Sequence, residues 1–379
     1  MLPLLGNTPL IALVSNSTWS LFNFRRDIIG MLLRDGFRVL VIAPEDEYAQ
    51  ELILMGCSYE PIVFNNRTTN PLEDLQLYWK LRQLYRRHRP GFIFHYVAKP
   101  NIYGTLAARR WNIPSVAVIT GLGYAFSRKD LLNRFIRKVY KFSLSFATEA
   151  WFLNNDDANL FTQSKLVDIR KVKVLPGEGV NTEFFQPAYA EKPGARFQFL
   201  MVTRLLRSKG VALYADAARI LKKKGFDAEY KLIGFFEPHH PDSISRSELQ
   251  AWQDEGLLTY LGFASDVREH LAYADCFVFP SFYNEGVPRC IMEAASMGLP
   301  VITSANRGCR EVIRHFETGF LCKKNDAFDL SEKMEWMMQV SDEKRRKMGL
   351  NGRQLMIDKF SVEHIYREYQ LTLQGDAGD

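Results

Sequence analysis

Short β-branched and apolar runs alternate with longer amphipathic patterns along almost the whole chain, and this alternation restricts the fold more than any other feature. Leu10–Val14, Arg38–Ile42, Phe92–His95, Ser115–Ile119, Ala150–Leu153 and Val172–Leu175 read as strands. Phe24–Arg34, Glu47–Met55, Leu72–His88, Ile102–Trp111 and Asp130–Phe146 read as the helices between them. Such an order predicts a parallel sheet with helices on both faces. It stops between Pro176 and Phe197, where Pro176, Gly177, Gly179, Pro187, Pro193 and Gly194 cluster without apolar periodicity, a composition that predicts a linker. It then resumes. Strands are predicted at Phe197–Thr203, Tyr230–Ile233, Leu258–Leu261, Cys276–Pro280, Pro300–Thr303 and Gly319–Cys322, and helices at Gly210–Lys224, Ser265–Ala274, Pro288–Gly298 and Cys309–His315. Helical stretches around 327–339, 342–357 and 361–374 close the chain. The expectation is an α/β protein of two doubly wound, Rossmann-like domains facing a central cleft, which 379 residues accommodate. Ligands of such sheets bind beyond the carboxyl ends of the strands, so the cleft is the expected site.

Charge narrows the partners. The formal net charge is +6, yet residues 1–190 carry 23 Lys/Arg against 16 Asp/Glu and the remainder 26 against 27. Between Asp74 and Glu149, Asp130 is the one carboxylate among fourteen cations. A basic half suits nucleic acid, anionic lipid or a phosphorylated substrate. No apolar run approaches the ~20 residues of a spanning helix. The start of the chain has no basic region and cleavage site of a signal peptide, and the five cysteines form no C-x-x-C pair. The expectation is a cytoplasmic protein with reduced thiols.

Two segments carry chemistry. In Phe199-Leu-Met-Val-Thr-Arg204-Leu-Leu-Arg-Ser-Lys209-Gly210, Arg204 follows a strand end and Lys209 precedes a helix, with Ser208 a possible N-cap. Two cations beside a helix N-terminus suit a diphosphate; the plainer alternative is two surface cations in a turn. In Pro280-Ser281-Phe-Tyr-Asn-Glu285-Gly286-Val287-Pro288-Arg289-Cys-Ile-Met-Glu293, Pro288 fits a first helical turn, Glu285 and Gly286 stand just before it, and Gly286 leaves the helix amides open. Glu293 lies about 7.5 Å further along the axis, a reach that suits a ribose diol if phosphates sit at the helix start. Either carboxylate alone would pass for an ordinary helix-surface residue.

Arg204-x4-Lys209 followed by Glu285-x7-Glu293 resembles the donor-binding signature of glycosyltransferase family 4, retaining enzymes of the GT-B fold. Tyr260-Leu-Gly262, Gly298-Leu-Pro300-Val301, Gly308-Cys-Arg-Glu311 and Gly179-Val-Asn181 agree with it, and the resemblance spans nearly the whole chain. Lys99-Pro100-Asn101-Ile-Tyr-Gly104 and Gly121-Leu-Gly123-Tyr-Ala-Phe126 resemble the subgroup that builds bacterial surface polysaccharides such as capsule and O-antigen.

The resemblance implies a GT-B protein with an acceptor-binding domain over 1–183 and a nucleotide-sugar-binding domain over 184–355. A helix in 356–379 is expected to pack back on the first. It implies transfer of a sugar, an N-acetylhexosamine being common in the subgroup, from a nucleotide donor, UDP first, to a polyprenyl-diphosphate-linked saccharide at the cytoplasmic membrane face. Arg204, Lys209 and Glu285 would be catalytic. Gly179, Gly262, Gly286, Val287, Pro288 and Glu293 would hold the donor. His95, Tyr96, Lys99, Asn101, Gly121 and Gly123 would stand on the acceptor or donor-sugar side. Tyr96 takes the place where many relatives have a His; His95 sits one residue earlier, and by strand alternation the two face opposite ways.

No metal or other cofactor is expected. His239-His240 lacks a metal-ligand spacing, and there is neither a Walker loop nor a nucleophile elbow. Leu131, Leu132, Phe135, Val139 and Phe142 recur at helical spacing among Arg134, Arg137, Lys138 and Lys141, as in a helix on an anionic membrane or an ordinary domain helix with a solvated face. Two other readings stand beside the transferase: a nucleotide-sugar epimerase of the same architecture, against which the paired motifs speak, and a basic nucleic-acid-binding protein, for which no module is visible.

Overall fold

The computed structural model describes residues 9–63, 70–121, 131–188, 194–238, 240–283 and 285–375, the side chains of 131–133 excepted. The chain divides into two compact units, one of residues 1–178 and 362–379, the other of residues 179–361.

The first unit contains β1 (Leu10–Val14), α1 (Thr18–Arg34), β2 (Arg38–Ala43), α2 (Ala49–Leu54), β3 (Ser58–Pro61), α3 (Pro71–His88), β4 (Phe92–Tyr96), α4 (Thr105–Arg109), β5 (Ser115–Ile119), α5 (Leu131–Leu144), β6 (Glu149–Phe152), α6 (Asn155–Gln163) and β7 (Val172–Val174). The strands form a seven-stranded sheet in the order β3-β2-β1-β4-β5-β6-β7, every pair parallel. Being buried on both faces, its central strands read as continuous apolar runs, which is why the sequence shows them clearly. Alternate residues divide the core. Leu13, Phe94, Val118 and Trp151 pack with Leu21, Ile28 and Leu32 of α1 on one face. On the other, Val14 and Ile93 meet Leu77, Leu81 and Tyr85 of α3, while Ala117 and Phe152 meet Tyr140 and Leu144 of α5. Strand β3 and helix α6 are additions to the sequence expectation: β3 is a short edge strand with exposed ends and only Tyr59 and Glu60 partly buried, and α6 is a polar helix started by Asn154, whose side chain accepts the Asp157 N–H. Helix α1 begins six residues before the expected start, where Ser17 caps it by accepting the Ser20 N–H.

The second unit contains β8 (Phe197–Val202), a 3₁₀ turn (Arg207–Lys209), α7 (Val211–Lys223), β9 (Ala228–Ile233), α8 (Arg246–Asp254), β10 (Thr259–Tyr260), α9 (Arg268–Tyr273), β11 (Cys276–Phe279), α10 (Arg289–Ser296), β12 (Val301–Ser304), α11 (Cys309–Val312), β13 (Gly319–Cys322), α12 (Ala327–Gln339) and α13 (Asp342–Leu355). Its six-stranded sheet runs β10-β9-β8-β11-β12-β13, again with every pair parallel. Met201, Leu232 and Val278 pack with α7 and α12; Leu200, Phe277 and Phe279 pack with Ile291, Met292 and Ala295 of α10. The expected linker is in large part ordered chain of this unit: Phe185 is buried, its N–H donates to Asn181 O, and Val180 N–H donates to Phe360 O.

The last helix, α14 (Val362–Gln374), belongs to the first unit. Val362, Ile365, Tyr366, Tyr369 and Leu373 complete the core on the α1 side. Tyr369 OH and Tyr96 OH are 2.9 Å apart. Arg25 lies over the Tyr96 ring and pairs with Glu178, the last residue before the chain crosses to the second unit.

Candidate active site

In the second unit the strand order reverses between β8 and β11, which are neighbours in the sheet but not in sequence. The loops leaving the carboxyl ends of two such strands diverge and leave room for a ligand. Arg204 and Lys209 are in the loop after β8; Ser281 and Glu285 are in the loop after β11.

Lys209 Nζ donates to both oxygens of Glu285, at 2.6 and 2.8 Å, and Ser281 Oγ donates to Glu285 Oε1 at 2.6 Å. Arg204 Nη1 donates to the Glu237 carboxylate at 3.1 Å, and Arg289 Nε donates to Glu293 Oε1 at 2.8 Å. Each of the two cations expected at a diphosphate thus holds a carboxylate in this structure. Burial of Glu293 raises its pKa, and the Arg289 charge works against that rise.

Ser208 is not the expected N-cap, because Gly210, with φ 88°, stands between the 3₁₀ turn and α7. Ser208 is instead a backbone junction. Its N–H donates to the Asp242 carboxylate at 2.8 Å, and its carbonyl accepts from the N–H groups of Phe282 and Tyr283. The two loops are thereby one assembly. Asn306, buried after β12, holds the second loop by donating to the carbonyls of Ser281 and Tyr283.

Pro288 is the N-cap of α10 rather than its first residue, and Gly286 and Val287 precede it. The first amides of α10 have no partner within the helix and point toward this loop. Gly308 packs directly on it: a Cβ there would overlap the Gly286 carbonyl oxygen, and its φ of 70° disfavours any side chain. Gly262, φ 83°, accepts the Gly234 N–H through its carbonyl at the ends of β9 and β10. Gly179, φ 84°, opens the second unit beside the Val180–Phe360 hydrogen bond.

The first-unit candidates stand differently. His95 and Tyr96 do face opposite ways, but both are buried, so neither presents an open ring. His95 Nε2 is 2.9 Å from Tyr85 OH and Nδ1 is 3.3 Å from Thr105 Oγ1; burial lowers its pKa to about 3. Gly104 makes room for the ring, which a Cβ there would overlap. Tyr96 is taken up by Arg25 and Tyr369. Asn101 is buried too, donating to Val118 O and Tyr140 OH. Lys99 Nζ pairs with Asp74, which also accepts from Tyr103 OH. Gly121 is the last described residue after β5; Gly123 lies outside the described residues. His95, Tyr96 and Asn101 thus serve the interior of this unit.

Glu237, Asp242, Asn306 and the role of Ser208 were missed from sequence. Each acts through a neighbour remote in the chain, and no linear spacing signals such a contact. His240 Nδ1 accepts the Asp242 N–H, so this histidine, which lacks a metal-ligand spacing, shapes the turn. Among the described residues no group of three metal-ligating side chains occurs, and the five cysteines are unpaired.

Residues 183–355 match the family model described as glycosyl transferases group 1, and residues 10–154 the one described as glycosyl transferase 4-like. The N,N'-diacetylbacillosaminyl-diphospho-undecaprenol alpha-1,3-N-acetylgalactosaminyltransferase of Campylobacter jejuni is 31% identical over 352 residues, 89% of this chain and 90% of that protein. The UDP-Gal:alpha-D-GlcNAc-diphosphoundecaprenol alpha-1,3-galactosyltransferase of Escherichia coli is 27% identical over 312 residues, 78% of each chain. In fold, a glycosyltransferase from Rickettsia africae superposes with a TM-score of 0.82 over 98% of this chain and 99% of that one, at 19% identity. Anabaena HepE in complex with UDP superposes with a TM-score of 0.76 over 97% and 100%, at 18% identity. With two parallel doubly wound units, a loop assembly at the β8/β11 reversal and relatives matched over most of their length, the chain belongs to the glycosyltransferases of the family 4 type, with the GT-B fold.

Proposed function

We propose that the chain moves a hexose or N-acetylhexosamine, with retention, from a nucleotide donor to a polyprenyl-diphosphate-linked saccharide in bacterial surface polysaccharide synthesis. The activities of the Campylobacter and Escherichia relatives support the acceptor class, and that of the second involves a UDP sugar. The observation that carries the reading is the loop assembly joining Arg204, Lys209 and Glu285 to the start of α10. As the bond from the anomeric carbon to the diphosphate breaks, charge grows on the leaving phosphate. Arg204, Lys209 and the α10 amides would stabilise it in place, without a metal. The acceptor hydroxyl forms the new bond on the same face, and its proton passes to the departing phosphate. Glu285 would orient Lys209 and reach the donor sugar, and Glu293 the ribose. The test is release of UDP from UDP-sugars with a lipid-linked acceptor. Activity that survives EDTA supports the metal-free reading; a complete loss restored by a divalent cation rejects it.

The enzyme would meet its acceptor at the membrane surface. No helix among the described residues is long and apolar enough to cross a membrane. On α5, Phe135 and Phe142 are exposed two turns apart, beside exposed Arg134, Lys138 and Lys141. Arg137, expected among the docking cations, turns inward and donates to Ser164 Oγ at 2.7 Å. On α3, which covers the same face of the sheet, Arg82 lies over the ring of half-exposed Trp79. Aromatic rings and cations together suit an anionic interface. Replacing Arg134, Lys138 and Lys141 by Glu should abolish sedimentation with anionic liposomes and leave nucleotide binding intact. Unchanged sedimentation rejects docking through α5.

A further inference from the structure

Among the described residues, three ion pairs involve the site residues expected from sequence, and they differ in access to water. The Lys209 and Glu285 side chains are 11% and 10% exposed, and Ser281 adds a third bond to them. Arg289 and Glu293 are 15% and 16% exposed. Arg204 and Glu237 are 36% and 30% exposed. Separating a buried pair strands a charge in a poorly solvated place, whereas a pair reached by water changes partners at small cost. Of these three, Arg204–Glu237 is therefore the pair able to open.

Its geometry is set from the backbone. Thr203 N–H donates to Ile233 O and Leu205 N–H to Phe235 O, so the residues on both sides of Arg204 are tied to the segment that leads into Glu237. Beyond Glu237, His240 N–H donates to Glu237 O, and Arg207 N–H donates to Asp242 O. Carboxylate and guanidinium are thus delivered to each other by two loops already fastened together. The N–H groups of a guanidinium donate to a carboxylate or to phosphate oxygens in the same planar geometry.

We propose that Glu237 is a positioning residue that occupies Arg204 while no diphosphate is present, is exchanged for phosphate oxygens when the donor binds, and recombines with Arg204 as the nucleoside diphosphate leaves. This rests on the reading of Arg204 as a donor-phosphate cation. The exchange holds Arg204 in one orientation between turnovers. It also makes the donor compete with an internal anion, so nucleotide affinity is lower, and release faster, than the cations alone would give.

The test measures UDP and, separately, inorganic pyrophosphate binding to the full chain by titration calorimetry. Glu237→Gln and Glu237→Ala should each bind UDP about three- to fivefold tighter, the scale of an exposed pair. The KM for the donor should fall in parallel, with no gain in kcat. Arg204→Gln should weaken UDP binding, and adding Glu237→Gln to it should bring no tightening, because the competitor then has nothing to occupy. A purely structural Glu237 would shift the melting temperature of its variants and leave the parent's UDP affinity in place. If Arg204→Gln weakens UDP binding while neither Glu237 variant tightens it, the exchange is overturned and the donor-site reading stands. If Arg204→Gln leaves UDP and pyrophosphate binding unchanged, the donor-site reading fails and takes the exchange with it.

Discussion

At Lys209 one ammonium has two tasks: it neutralises Glu285 in a buried setting and would face the leaving phosphate. Removing it alone leaves Glu285 uncompensated, so Lys209→Ala should cost about 3–5 kcal/mol of stability as well as a 10²-fold or greater loss of turnover. Lys209→Met with Glu285→Gln should recover most of the stability and none of the activity; thermal melts beside initial rates check the split. His95 gives a prediction in pH. Its folded pKa is lowered to about 3 by burial, against ~6.5 in an unfolded chain. The unfolded chain therefore takes up a proton that the folded one refuses. The stability is complete above about pH 6.5 and is lost toward pH 3, by at most about 1.4 kcal/mol per pH unit. Urea midpoints at pH 7 and pH 5 should fall less for His95→Gln than for the parent. Arg204, Lys209, Glu285 and Glu293 were singled out because their spacing matches the donor-binding signature that the chain resembles. The carboxylate partner of Arg204 was not, because Glu237 meets it only through the pairing of β8 with β9.

Among the elements, α10 shows how a motif is held. Its approach through Gly286 depends on Gly308, a residue from another strand–helix unit of the sheet. Gly308→Ala would place a methyl on the Gly286 carbonyl at a positive φ, costing at least about 2 kcal/mol and displacing the Glu285 loop. Weakened UDP binding together with a lowered melting temperature is the expected result, and unaltered UDP binding would show that the loop tolerates the shift. The strands of both sheets were legible as apolar runs, while β3 and α8 were not. Helix α8 rests on a local capping box of Ser245 and Glu248 with two buried residues, Leu249 and Trp252, too few for a periodic signal. The orientation of α5 also escaped the pattern. Periodicity put Phe135, Val139 and Phe142 on one apolar face, whereas in the structure Tyr140 and Leu144 take the core and the two phenylalanines face outward.

For the whole molecule, the chain leaves the first unit at Glu178 and returns to it at Val362. Truncation after Ser361 would remove five apolar side chains from one core, more burial than a domain's net stability normally covers. Such a chain should lose hydrogen-exchange protection in β1, β4 and β5 while residues 179–361 keep theirs; protection retained in β4 would show that α14 is dispensable. The returning helix also sets an order of events during synthesis. A ribosome delivers β1 through β7 first, but the sheet face beside α1 lacks its last cover until roughly 180 more residues have emerged. At ~5–20 residues per second that is on the order of 10–40 s. The second unit, complete within one continuous stretch, is able to fold first. During that interval the nascent first unit presents Phe94 and Trp151 where Tyr369 will later pack, a transient apolar surface that a holding chaperone could recognise.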